Sequence, residues 1–511
     1  MEKKKSDLFF ILPAMLLHLV CIVFFFLKIP GAVDFRGGFL EIYSSKILLY
    51  SYLALLLVFT GLCLRPLLQK GRAKGLSGRL LFFAGLINFM FSFFVIVKPT
   101  GTEVYWYIIA RAMLALLGGW MVFFLYPRLS IRDSRLLKIL AIGLCALFAL
   151  LPASQILPNK MYYTPVVYAV GDTYQIVWRT GAKSAAWVDI GGARYYDSVG
   201  GAVRSDEKIH KVSVPMTALD EARSYTVSSQ KILHRGAYFA LKGREISAAY
   251  SFRPVDVSDG LQVYHLADVH SKNAAPIEAA GYWGDRLDLL ILNGDIANDV
   301  PQEHDVMHII ELASGITKGE IPVIYARGNH ETRGAWTEPF GRYVGSVNGD
   351  EYYFTARLGN VWFLILDLGE DKDDGHPEYS GLADYGPYRE RQAAFVERVA
   401  AEKEYEASGI DYRVLVSHIR VTNKKAAYGD LNARWTEAAN EMGIDLHLCG
   451  HSHMTVILEA DAEGTDGECA HNFPIVIGSR RVEGGFIGTA AQLGPEGIDI
   501  FFTDSLRQIV N

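Results

Sequence analysis

The chain has 511 residues, with 50 Lys and Arg against 56 Asp and Glu for a formal net charge of −6. Half of its residues are hydrophobic and its mean hydropathy is +0.15, which excludes a disordered chain and is unusual for a soluble enzyme. From Pro254 onward acids outnumber bases about two to one, a balance that repels polyanions and argues against nucleic acid as the main partner.

The excess hydropathy sits in the first third. Five apolar segments, residues 8–27, 47–64, 80–97, 104–126 and 137–157, are each long enough to cross a bilayer, so residues 1–158 are expected to form an all-α transmembrane bundle. A cleaved signal peptide competes for the first segment, but that run is long, no small-residue cleavage site follows, and four more spans come after it. Lys3 to Lys5, the loop from Arg65 to Arg79 and the loop from Arg128 to Lys138 fall on one side of five spans. Basic loops mark the cytoplasmic side. The expectation is therefore a multi-pass protein of a bacterial cell membrane, with its N-terminus in the cytoplasm, the lipid bilayer as a partner and the remaining two-thirds outside.

Residues 159–254 change to short segments of period two, such as YQIVWRT, IHKVSVPM and SYTVSSQKI, punctuated by Gly, Asp and Ser. That pattern predicts an all-β sandwich with Trp178 as its core anchor. Leu219 and Tyr225 in ALDEARSYTV resemble the tyrosine-corner region of fibronectin type III domains. A spacer role suits such a domain better than direct substrate binding.

Residues 255–511 alternate strands with helical stretches, which is α/β organisation. Five apolar runs of strand length each end abruptly in polar residues: LQVYHL before Asp268 and His270, LDLLILN before Asp295, IPVIYA before Asn329 and His330, YRVLVS before His418, and IDLHLC before His451 and His453. Ligands collect at the carboxyl ends of such strands. Hard oxygen donors mixed with imidazoles suit divalent or trivalent first-row metals, here two of them. Taken singly each histidine is more plausibly a core or surface residue, and for His265, His304, His308, His447 and His471 that reading stands.

The ordered set D-x-H, GD, GNHE, a lone His after a strand, and GHSH resembles the calcineurin-like metallophosphoesterases over roughly Gly260 to Asn511. With the sandwich before it, the arrangement is similar to that of purple acid phosphatases. The resemblance implies a two-sheet β-sandwich flanked by helices, and a binuclear centre of Mn, Fe or Zn. It places Asp268, His270, Asp295 and His453 on one metal and Asp295, Asn329, His418 and His451 on the other. It further implies a phosphate-ester substrate attacked by a metal-bridging hydroxide, with His330 protonating the leaving group. Phosphatase, phosphodiesterase and pyrophosphatase activities all remain open, as does a non-catalytic surface binding protein.

One departure stands out. Where many relatives carry an acid three residues after the bridging Asp, and the purple enzymes a Tyr, this chain has Asn298, with Asp299 one place later. No tyrosinate-to-iron colour is expected, and carboxylate support of His330 is in question. Arg327 and Arg333 flank GNHE and are candidates to grip a phosphate oxygen. Cys449 and Cys469 either pair outside the cell or stay free. The acid-, glycine- and aromatic-rich stretch 369–386 is either a mobile rim over the site or a solvated loop.

Overall fold

The computed structural model of the protein describes residues 159–235 and 240–510. All five apolar spans expected within residues 1–158 lie outside the described residues, among which no helix is long and apolar enough to cross a membrane.

The chain enters through β1 (Val166–Val170) and β2 (Thr173–Arg179), followed by β3 (Ser184–Ile190) and β4 (Ala193–Tyr196). A minor hairpin, β5 (Ser198–Val199) and β6 (Val203–Arg204), leads to β7 (Ile209–Pro215), the short helix α1 (Met216–Ala222), β8 (Ser224–Arg235) and β9 (Ala240–Ser251). Then come β10 (Leu261–Leu266), α2 (Ala274–Ala280), β11 (Leu289–Asn293), α3 (Glu303–Thr317) and β12 (Pro322–Ala326). These three strands are buried at every position, as continuous apolar runs must be when both faces of a parallel sheet are covered. Helix α3 starts at a Gln302–Asp305 capping box and stops where Lys318 turns left-handed, so both of its ends have a local cause.

A second set follows: β13 (Phe354–Leu358), β14 (Val361–Leu366), α4 (Tyr385–Glu402), β15 (Tyr412–Ser417), α5 (Gly429–Met442) and β16 (Leu446–Cys449). The chain closes with β17 (Val456–Leu458), β18 (Ile475–Ile477), β19 (Arg480–Val482), β20 (Gly485–Gly494) and β21 (Gly497–Asp504).

The first sheet runs β19-β20-β10-β11-β12-β1-β2-β7, with β21 also on β20; the second runs β13-β14-β15-β16-β18-β17. Strand alternation assigns the side chains of the second sheet to two cores. Val361, Phe363, Ile365, Val414 and Val416 pack inward with the first sheet. Trp362, Leu364, Leu366 and Leu415 pack outward with Val396 and Val399 of α4 and Trp435 and Ala439 of α5. This is the two-sheet sandwich flanked by helices that the sequence motifs implied.

The all-β sandwich expected over 159–254 has its two layers, β1-β2-β7 and β4-β3-β8-β9, but one of them does not stand apart from the catalytic sheet. Only β4-β3-β8-β9 make a separate sheet. The other layer, β1-β2-β7, continues the catalytic sheet, because β1 pairs in parallel with β12 through Val167–Pro322 and Tyr168–Val323. The reason is visible in VVYAV, which is buried at all five positions: a strand apolar on both faces has no solvent side and is covered by a sheet interior. Tyr225 follows the same logic. Its hydroxyl donates to the Gly319 carbonyl at 2.8 Å, after α3, rather than closing a corner within its own strands. Arg179 adds a bidentate pair to Glu303 at 3.1 and 2.9 Å, tying β2 to the start of α3.

Trp178 does anchor a core. It is fully buried on β2, and its indole N–H donates to Ser229 Oγ on β8 at 2.9 Å, joining the shared sheet to the four-stranded one. Trp178→Ala should therefore lower the free energy of unfolding by about 3–5 kcal/mol and Ser229→Ala by about 1 kcal/mol, measured by chemical denaturation. The reverse ranking would show that the hydrogen bond, not the indole volume, holds the layers together.

Candidate metal centre

Six strand ends converge on one edge of the two sheets. Beyond β10 come Asp268 and His270, beyond β11 Asp295, beyond β12 Asn329 and His330, beyond β15 His418, and beyond β16 His451 and His453. The sixth end, that of β14, brings Glu370 and Asp371, the first acids of the 369–386 stretch, neither of which the sequence pattern had assigned to the site.

The turns that aim these groups are strained. Asp268, His270, Asp295, His451 and His453 have φ of 54°, 48°, 52°, 67° and 51°, a region that costs non-glycine residues energy and persists where surrounding structure imposes it. Glycine makes the convergence sterically feasible. A Cβ at Gly328 would lie 2.3 Å from both N and Oδ1 of Asp295, and one at Gly450 would lie 2.5 Å from Ala267 Cβ.

Two groups of donors result. Asp268, His270 and His453 offer ligand atoms that all lie within 4.8 Å of one another, and so do Asp295, His418 and His451. In the first, His270 Nε2 and His453 Nε2 are 3.4 Å apart, and His453 Nε2 is 3.7 Å from Asp268 Oδ1. In the second, His418 Nε2 lies 3.1 Å from Asp295 Oδ2 and 3.9 Å from Asp268 Oδ1. The His418 Nδ1–H donates to the Asn293 carbonyl at 2.7 Å, which leaves Nε2 as the ligating atom. Asn293 is itself held across the sheets by its amide contacts to His265 Nε2 at 2.9 Å and the Leu448 carbonyl at 3.0 Å.

Asn329 presents its amide oxygen 3.2 Å from His451 Nδ1. With the amide turned over, its NH2 would serve His451 Nδ1 and Asp295 Oδ2, each at 3.2 Å, so its orientation depends on whether a cation or a proton donor is wanted there. His451 Nε2 faces Asp371 Oδ2 at 3.5 Å.

The residues fit a metal. Both carboxylate oxygens of Asp268 and Nδ1 of His270 are buried without a hydrogen-bond partner, a costly state for acceptors that a cation among them relieves. Burial pulls the His270 pKa down to about 4, so the imidazole is neutral and able to ligate at pH 7. Burial also opposes charge on Asp295, yet His418 and His330 hold its carboxylate below the usual range. Against its own burial, His418 is lifted to about 10 by Asp295 and Asp268.

His330 belongs to the same cavity. Its backbone N–H donates to Asp295 Oδ1 at 2.9 Å, its Nε2 is 3.8 Å from Asp295 Oδ2, and a ring nitrogen falls within 4.8 Å of His270 and Asp295 ligand atoms. Its Nδ1 bonds the Asn298 carbonyl and lies 3.3 Å from Asp299 Oδ1. The one-residue displacement of the acid noted in the sequence is thus absorbed by the loop, and a carboxylate does reach His330.

The two arginines part company. Arg333 stays at the site, with Nη1 3.2 Å from His330 Nε2 and its guanidinium paired to buried Glu370. Arg327 does not. Its Nε and Nη2 both meet buried Asp367 at 2.7 Å, and its guanidinium stacks on Tyr352 at 4.0 Å, so the expectation that it grips phosphate gives way to a buried ion pair. His265 and His447 are fully buried and bonded to Asn293 and Ser417, and His304 and His308 lie on α3 beside Asp305 and Glu311. His471 bonds the Cys469 carbonyl at 2.9 Å. Cys449 and Cys469 are both buried and free.

A further residue that organises the site from beneath is one the sequence pattern had left as part of a motif. Glu331 is fully buried and accepts from the N–H groups of Asp295, Ala297 and Gly328 at 2.9, 2.9 and 3.0 Å. Burial, with the charge of Asp295, pushes its pKa up to about 7. Its side chain therefore holds the β11 and β12 loops together. Glu331→Ala strands three buried donors and should lower stability by about 3 kcal/mol or more while weakening metal binding; Glu331→Gln should lose less of both. Denaturant unfolding and calorimetric metal titration measure the two effects, and wild-type stability in the alanine variant would remove Glu331 from this role.

Residues 261–455 match the calcineurin-like phosphoesterase family. None of the curated proteins matches the chain. Among solved structures, similarity extends to a purple acid phosphatase, PPD1, from yellow lupin (Lupinus luteus) seeds, with 12% identity over 69% of this chain and 73% of that one and a TM-score of 0.45. PhoD is similar at 12% identity over 70% and 94%, with a TM-score of 0.39. The phosphopantetheinyl hydrolase PptH of Mycobacterium tuberculosis follows at 16% identity over 43% and 89%, with a TM-score of 0.26. The weight rests on the family match, which spans all five motifs, and on the donor geometry it encloses: the chain carries a calcineurin-like phosphoesterase domain and is a metal-dependent phosphoesterase.

Proposed function

We propose that the protein is a two-metal hydrolase of phosphate esters, held in the cell membrane by residues 1–158 with its catalytic domain outside the cytoplasm. The observation that carries the catalytic reading is the pair of donor groups sharing one cavity, with Asp295 facing both His418 and the His270–His330 side. In this reading Asp268, His270, Asp295 and His453 hold one ion and Asp295, Asn329, His418 and His451 the other. Two cations bridged by a carboxylate would polarise phosphoryl oxygens and supply a water that ionises near neutral pH.

The remaining work falls to the chain's own groups. His330 directs Nδ1 to the Asn298 carbonyl and Asp299, which leaves Nε2 toward the cavity as the proton donor to the departing alkoxide. Arg333, braced by Glu370, is placed to bind a phosphate oxygen, with its Nη1 3.2 Å from His330 Nε2. The strands of 159–254 serve as scaffold, extending the sheet from which three of the ligand loops spring.

His330→Ala should retain both metals and lower turnover about 10²- to 10⁴-fold for esters with poor leaving groups. A nitrophenyl ester, whose leaving group departs without a proton, should lose much less. Equal losses across leaving groups would replace acid catalysis by electrostatic stabilisation, and loss of metal would make His330 a ligand. For the topology, motivated by the basic loops at Arg65 to Arg79 and Arg128 to Lys138, protease added to intact cells should release the C-terminal domain. Complete protection, with a C-terminal cytoplasmic reporter active, would reverse the orientation.

A further inference from the structure

A second cavity, of about 1020 Å³, opens between the β1-β2-β7 layer, the 341–355 segment and one face of α4. None of the metal-centre residues lines it. Its charged lining is unbalanced, with Lys211, Arg342, Arg391 and Arg398 against Asp197 and Glu351. Asp197 is already taken, since its Oδ2 meets Arg342 Nη2 at 2.9 Å and His210 at 3.6 Å, and Glu351 accepts from Tyr353 at 3.1 Å.

Lys211 is the unusual group. Partly buried on β7, its ammonium donates to the carbonyls of Gly341 and Val344 at 2.8 Å each and to Ser346 Oγ at 2.7 Å. All three acceptors are neutral, and they take up all three of its N–H groups. A cation removed from water with only neutral groups bonded to it is unfavourable, and burial together with Arg342 pulls its pKa down to about 7 against the attraction of Asp197. Arg342 differs: its Nη2 is committed to Asp197, Ser205 Oγ and the Ile209 carbonyl, while its Nε is buried without a hydrogen-bond partner. On the facing wall, exposed Arg391 and Arg398 stand two turns apart on α4. Arg398 lies over the Phe395 ring at 5.4 Å and reaches Glu402 at 3.9 Å on the helix surface, a pair of little strength.

We infer that this cavity is a binding site for a small oxyanion, carboxylate- or phosphate-bearing, held by Arg391, Arg398 and the uncommitted Nη1 of Arg342, with the charge of Lys211 behind them. A volume of about 1020 Å³ is at the upper end of small-molecule sites, and guanidinium pairs are suited to bidentate recognition of both anion types. The occupant would lie against the helix whose other face supports the catalytic rim, where Arg389 donates to the Leu368 carbonyl at 2.8 Å and Gln392 accepts from Asp367 N–H at 2.7 Å.

The test uses the full chain, with sulfate and succinate as tetrahedral and carboxylate probes, followed by calorimetry and by the shift in melting temperature. At least one probe should bind the wild type and, equally, Asp295→Ala, in which anion binding at the metal centre is removed. Arg391→Gln/Arg398→Gln, two changes on an exposed helix face, should weaken that binding at least tenfold, and Lys211→Met, which removes charge but no direct contact, should weaken it less. Binding lost in Asp295→Ala but kept in the arginine variant would locate the anion at the metals and overturn the inference, as would binding of neither probe. Metal content of Asp295→Ala, measured in the same samples, bears separately on the catalytic reading.

Discussion

Placing acceptors where no donor can reach them is the constraint on which the rest of this structure depends. Asp268 is buried with both oxygens unpartnered, Asp295 is nearly as buried, and the imidazoles around them arrive with nitrogens as close as 3.4 Å to one another. Such a cluster is unfavourable in itself and is tolerable only if something positive completes it. Much else in the domain maintains that arrangement: five left-handed residues in the turns, glycines where a Cβ would collide with Asp295 or Ala267, and Glu331 drawing three amides of two loops onto one carboxylate. Binding energy from the ions would offset strain that the apolar sheets beneath hold in place.

The sheets supply rigidity by burying the strands that lead to the site, every position of them except Tyr412 and Arg413 at the start of β15. β14 shows how: its odd residues fill the space between the sheets and its even residues meet the helices, so no register shift is available that does not exchange two cores. Polar bonds between layers are few and specific. Asn293 links β11 to β10 and β16 and receives the His418 proton on its carbonyl, so a ligand's tautomer is set by the same residue that stitches the sandwich.

The catalytic sheet does not end where the motifs do. By accepting β1 as its neighbour, β12 connects the metal centre to a layer whose outer strands line the second cavity. Helix α4 does the same from the other side, with Tyr388 and Gln392 holding Asp367 while Arg391 and Arg398 face away. The two sites therefore share a framework of strands and one helix without sharing a side chain.

The sequence by itself brought forward the residues that gather at the candidate metal centre, because each is written as an acid, amide or imidazole directly after an apolar run, and strand ends at one edge of a sheet need no long-range information to be recognised. It also determined the two-layer α/β class and the bland reading of His265 and His447. Only the tertiary structure decided that Arg327 turns inward to Asp367, that Asp299 reaches His330 across a one-residue offset, and that Glu370 and Asp371 join the site from β14. Those outcomes depend on which loops meet in space, and local spacing does not encode that. The same holds for β1. Its apolar run is as legible as that of β11, but whether its edge meets a strand of its own layer or β12, more than 150 residues later, depends on which pairing covers both of its faces. The full burial of VVYAV selects the larger sheet.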